Sequence, residues 1–102
     1  MKHPEAMRQV LRSELPEGAN VDAARQFMEQ EGFICKVVRN GTFVEKTWFG
    51  DREPVHDDID FLDCTRVQTA GHLLMPRTWR VGLVLEGDVV EGVLVSHYID
   101  GP

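Results

Sequence analysis

Much that would point to a function is missing from this sequence. No apolar run reaches the roughly 20 residues a helix needs to cross a bilayer, so no integral membrane segment is expected. Basic residues are scarce, with 11 Lys and Arg against 17 Asp and Glu and a net charge of −6. Nucleic acids and anionic membranes both need basic patches, so neither is expected as a partner. The phosphate-binding loop, the dinucleotide-binding G-x-G-x-x-G, the G-x-S-x-G elbow and H-E-x-x-H are all absent. There are two cysteines, Cys35 and Cys64, without a C-x-x-C pair, so cysteines alone cannot supply the four ligands of a structural zinc site. The expectation is a chain that is not an enzyme and uses no metal or cofactor.

What is present is ordinary globular composition, 42% apolar and 27% charged, in 102 residues. That length suits one domain over residues 1–102, with a single core and no second one. The best-patterned stretch runs from Arg77 to Ile99. Trp79, Val81, Leu83 and Leu85 alternate with Thr78, Arg80, Gly82, Val84 and Glu86, the period-2 signature of a half-buried strand. Gly87-Asp88 suits a two-residue turn. A hairpin closed there sets Leu85 against Val90, Leu83 against Gly92 and Val81 against Leu94 on the core face. Glu91, Val93 and Val95 then fall on the other face, with His97 as a surface histidine.

Upstream, Pro4 to Leu15 reads as a helix, with Pro4 at N1 and Met7, Val10, Leu11 and Leu15 on one stripe. Pro16 and Gly18 interrupt it in a turn. A second helix starts at Asn20 as N-cap, with Asp22 in its first turn and Val21, Ala24, Phe27 and Met28 facing inward. Gly32 stops it at C′, with Phe33 folding back on Met28 in a Schellman ending. Val37 to Val44 carries Asn40-Gly41, the pair favoured in type I′ hairpin turns, which predicts Arg39 opposite Thr42 and Cys35 opposite Lys46. Residues 50–60 read as an acidic loop and Phe61 to Gln68 as another strand. The fold class expected is α+β, two N-terminal helices packed on one face of an antiparallel β-meander of four to five strands.

Three features are candidates for function or for linkage. The segment from Glu45 to Asp63 holds seven acids and two bases. Asp57 and Asp58 are its candidate contact residues for a basic protein partner, set against the simpler reading of a solvated loop. His56, Asp57, Asp58 and Asp60 offer oxygen ligands, but the spacing and glycine of an EF-hand are missing. The apolar tip Leu73-Leu74-Met75 sits where a loop should be polar, and with Arg77 and Arg80 as rim it suits docking of a protein, or else it tucks over the core beside Trp79. Cys35 and Cys64 both fall on the inward side of expected strands, which favours a disulfide. Closing that 30-residue loop is worth about 3.6 kcal/mol of chain entropy. Activation of either cysteine by His56, His72 or His97 rests on nothing more than the presence of both residue types.

The order of parts resembles a known layout. The run L-P-E-G-A-N-V-D-A-A-R-Q-F-M-E-Q-E-G, followed by a meander ending W-R-V-G-L-V-L-E-G-D-V-V-E-G-V, is similar to the small outer-membrane lipoproteins of the barrel assembly machinery. Their domain in turn resembles one repeat of the β-lactamase inhibitor proteins. Gly18, Asn20 and Gly32 match the helical part, and Val81, Leu83, Leu85, Gly87 and Val89 match the closing strands. Phe33 stands where the lipoproteins often carry proline, and no lipid-attachment cysteine stands at the N-terminus. The resemblance implies a non-enzymatic protein-binding or scaffolding domain in the periplasm or elsewhere outside the cytoplasm. No signal peptide is visible in the N-terminal residues, so that expectation needs a leader that precedes this chain; a cytoplasmic setting stays open. The alternative is an acidic inhibitor or immunity-type protein that blocks a basic site on an enzyme or toxin.

Overall fold

The computed structural model of the chain describes residues 4–15, 18–45, 54–68 and 77–99. Helix α1 spans Pro4–Glu14 and α2 spans Val21–Gln30. Strands β1 (Ile34–Val44), β2 (Val55–Gln68), β3 (Arg77–Glu86) and β4 (Val89–Ile99) follow, each antiparallel to the next in the order β1-β2-β3-β4. The architecture is α+β, and the expectation of a meander of four to five strands is corrected to four strands among the described residues. Residues 42–44, expected to begin a strand of their own, complete β1, and Trp48 with the rest of 46–49 lies outside the described residues.

Local chemistry accounts for α2 in detail. Asn20 Oδ1 accepts the Asp22 amide at 2.8 Å, satisfying one of the donors a helix leaves open at its start. At the other end Phe33 N–H donates to Met28 O at 3.0 Å and Gly32 N–H to Glu29 O at 3.1 Å, the paired bonds of a Schellman motif. Gly32 takes φ +89°, which that ending demands of its C′ residue. Phe33 is thereby turned into the core, 4% exposed. Leu11 in α1 and Leu15 just past its end are buried as expected, whereas Val10 stays 41% exposed and the side chain of Met7 lies outside the described residues.

Both helices contribute to one core on one face of the sheet. Leu11, Leu15, Ala24 and Met28 pack with Leu62, Cys64, Val81, Leu83, Val93 and Val95. Trp79 is wholly buried there and stacks on His97, its register partner across β3 and β4, at 3.8 Å between ring centroids.

Two expectations about register are overturned, each by a bulge. Asn40-Gly41 does not turn the chain; β1 runs through it and pairs with β2 from Ile34↔Thr65 to Val44↔Val55. The register shifts at Val38/Gly41 and Gly41/Phe43, where Asn40 takes φ +51°, and Asp58 opposite takes φ +54°. The positive φ that Asn tolerates in a hairpin turn serves a bulge equally well. A side chain at Gly41 would collide with Val38 Cγ1 and come within 3.2 Å of the Phe61 ring. Residues 55–60, expected in the acidic loop, are accordingly the first half of β2.

In the last hairpin Gly87-Asp88 turns the chain and Leu85 faces Val90, as read from the pattern. Beyond that point Glu91 is an extra residue without a partner, so Leu83 faces Val93 and Val81 faces Val95. The shift moves Val93, Val95 and His97 to the core side, at 7%, 1% and 1% exposure. Three side chains expected outside are therefore inside, because two branched valines fill the core better than Gly92 and Leu94 would.

The other face carries a smaller apolar group. Phe43 and Phe61 are both fully buried and meet edge to face at 5.6 Å. Phe43 crosses over β2 to lie against the backbone of β3, so closely that a Cβ on Gly82 would stand 2.8 Å from its ring. The bulge thus bends the far end of the β1–β2 hairpin back over the sheet that its near end belongs to.

Candidate functional site

The two edges of the sheet are finished differently, and that difference locates the candidate site. Along β4 the linker between the helices takes up the strand's outward backbone groups. Gly18 N–H donates to Val90 O, Val90 N–H to Ala19 O, and Val21 N–H to Asp88 O, each at 2.8 Å. Farther along, Val95 N–H donates to Glu45 Oε2 at 3.2 Å. That carboxylate, 12% exposed, also receives the Arg8 guanidinium from α1 and faces His56 Nε2 at 2.9 Å. Glu45 sits just past β1, and the bend in the hairpin delivers it to the opposite edge.

Strand β1 has no such finish among the described residues. Among the described residues it pairs on one side only, with β2. Ile34 at its start is 81% exposed, and Val67, next to Ile34's partner Thr65 on the same face, is 56% exposed. Between them lies an open cleft of about 510 Å³ that Gly32, Cys35, Lys36 and Arg66 also line. Arg66 is held in place, with Nη1 donating to Glu31 O at 3.0 Å and its guanidinium over the Phe33 ring at 4.8 Å. The cleft is shallow and apolar on one side with cations at its margin, a shape that suits an extended segment of another chain better than a small molecule.

The sequence-based candidates are distributed otherwise. Leu73, Leu74, Met75, His72 and the side chain of Arg77 lie outside the described residues. Arg80 is engaged within the sheet: its Nε and Nη2 grip Asp63 at 2.9 and 3.1 Å and its guanidinium covers the Phe43 ring at 4.9 Å. Asp57 accepts the Thr42 hydroxyl at 2.9 Å, and Asp60 accepts the Asn40 amide at 2.9 Å and meets Arg39 at 3.3 Å. Asp58 is exposed and occupies the bulge. Most described carboxylates of the acidic segment therefore hold the bent hairpin together. Among the described residues no group of three His, Cys, Asp or Glu gathers to hold a metal, and no helix is long and apolar enough to cross a membrane.

Cys35 and Cys64 are brought together as direct register partners. The bond expected between them is not formed here: both are thiols, with Sγ atoms 2.9 Å apart against about 2.05 Å for a disulfide. Cys64 is fully buried and Cys35 only partly. Burial pushes both thiols above their ordinary pKa, Cys64 very far, and the hydrogen bond with Cys35 raises Cys64 further. No histidine among the described residues bonds to either sulfur, whose partners are each other and the Leu62 carbonyl.

Ile34 and Val67 were missed as site residues, though one signal was available. Phe33 and Cys35 point inward, so simple alternation sends Ile34 outward as a large apolar side chain facing water. No protein-family model matches this chain, and neither a curated protein nor a solved structure matches it.

Proposed function

We propose that this chain is a non-enzymatic protein-binding domain that takes up an extended segment of a partner along the open edge of β1. The observation that carries the reading is Ile34, 81% exposed on a strand that pairs on one side only among the described residues. An unpaired edge offers backbone donors and acceptors for strand addition, and side-chain pockets beside it supply selectivity. Ile34 and Val67 are the apolar anchors, and Lys36 gives the cleft a cationic margin. The bulge at Asn40 ends the usable edge after about five residues. Carried over from the resemblance to the outer-membrane lipoproteins, the setting is outside the cytoplasm, where oxidising conditions close Cys35 and Cys64 into a disulfide. The inhibitor reading is weaker, because Asp57, Asp60 and Asp63 are spent on contacts within the chain.

The test is a photo-crosslinking side chain placed at Ile34 in the full chain in its native cells, with the same group at exposed Gln26 on α2 as control. One defined adduct at Ile34, absent at Gln26 and weakened by Ile34→Lys in a binding assay with the purified partner, supports the reading. Equal capture at both positions, or binding indifferent to Ile34→Lys, overturns it.

A further inference from the structure

The two thiols differ in access more than in surroundings. They face each other directly across β1 and β2, a relation in which Cα atoms stand about 4.5–5.5 Å apart. That spacing lies inside the roughly 4.4–6.8 Å window of a disulfide, so a bond needs no movement of the backbone. Cys64 sits at 0% exposure in the main core, whereas Cys35 is only partly buried. A reagent in solution meets one sulfur and not the other.

We propose that this pair is a thiol–disulfide exchange site for small disulfides, at which the partly exposed Cys35 reacts first and Cys64 then resolves the adduct into the cross-strand bond. In the first step Cys35 gives up its proton and its sulfur attacks one sulfur of the small disulfide. The S–S bond of the reagent breaks, and one small thiol leaves carrying the proton. In the second step Cys64 gives up its proton and attacks Cys35 Sγ; the mixed disulfide breaks and the second small thiol departs. Two thiols of the chain are oxidised to one disulfide, and one reagent disulfide is reduced to two thiols. Raised pKa values leave little thiolate at neutral pH, so the exchange is slow and suits lasting closure rather than turnover.

The site goes beyond the docking reading, and its failure is distinguishable because it is read on sulfur while docking is read on Ile34. The reduced chain is incubated under native conditions with oxidised glutathione, and adducts are followed by mass spectrometry. Wild type is expected to lose two hydrogens and retain no glutathione. Cys64→Ser is expected to hold one glutathione, on Cys35, and Cys35→Ser to react at least about tenfold more slowly. Peptide mapping of the earliest wild-type adduct gives the same assignment should a variant fold poorly, with glutathione on Cys35. Equal rates for the two variants, a first adduct on Cys64, or a wild type that keeps its glutathione overturns the order of attack.

Discussion

The β4 edge and the β1 edge belong to the same four-stranded sheet, yet among the described residues one is closed at two places and the other is bare along its first five residues. Closure at β4 uses backbone bonds from the interhelix linker and a carboxylate brought from across the molecule. At β1 a large apolar side chain faces water beside a cleft. An open edge is an aggregation hazard that soluble domains usually blunt. Here the blunting is partial: Lys36 and the Asn40 bulge limit the length of strand on offer without covering it. The contrast teaches that edge protection in this fold is selective, and that the protected edge depends on residues of the unprotected strand.

That dependence is where the contrast can be broken. The largest effect is expected from Phe43→Ala, since Phe43 is wholly buried and anchors the bent hairpin on β3. Chemical denaturation should show a loss of about 3–5 kcal/mol. Hydrogen exchange at the Val95 amide should quicken as Glu45 is released, making β4 resemble β1. Gly82→Ala attacks the same contact from beneath by pushing a methyl against the Phe43 ring, and about 1–3 kcal/mol is the expected cost in the same assay. Glu45→Gln keeps an acceptor for Val95 but removes the charge that meets Arg8, for a loss of about 1 kcal/mol. Its Val95 exchange should rise while exchange along β1 stays as it was. Ile34→Lys sharpens the comparison from the other side: stability should change by less than about 0.5 kcal/mol, because the side chain has no core role. A large loss there would mean that Ile34 holds the fold rather than a partner.

Helix α2 was legible almost residue by residue, because caps are local chemistry: Asn20, Gly32 and Phe33 act through bonds to neighbours a few positions away. The turn at Gly87-Asp88 was legible for the same reason. Asn40-Gly41 misled because its preference is for a positive φ, and a bulge inside a strand and a turn between strands both use one. The Glu91 bulge could not be read at all from β4 alone. Which of Gly92 or Val93 meets Leu83 is settled by how well each fills the core beneath the helices, a tertiary matter that alternation cannot express. The pairing of Cys35 with Cys64 was anticipated from their shared inward side, although the partner strand assigned to Cys35 was wrong. Ile34 was within reach of simple alternation and went unmarked because nothing in its own neighbourhood identifies an edge.

The position of Glu45 has a kinetic consequence. Strands of a meander pair with their immediate successors, so most of this sheet closes short loops. The Glu45 carboxylate instead joins Arg8, 37 residues away, and Val95, 50 residues away. Long loops are costly to close before the rest of the structure holds their ends together. The β3–β4 hairpin should therefore be organised in the folding transition state, and the Glu45 contacts should form after it. In stopped-flow experiments Glu45→Gln should leave the refolding rate nearly unchanged and speed unfolding by the whole of its equilibrium effect. The lifetime of the folded chain is then set by its last-formed contacts, and substitutions around Glu45 would shorten that lifetime without altering how fast the chain folds.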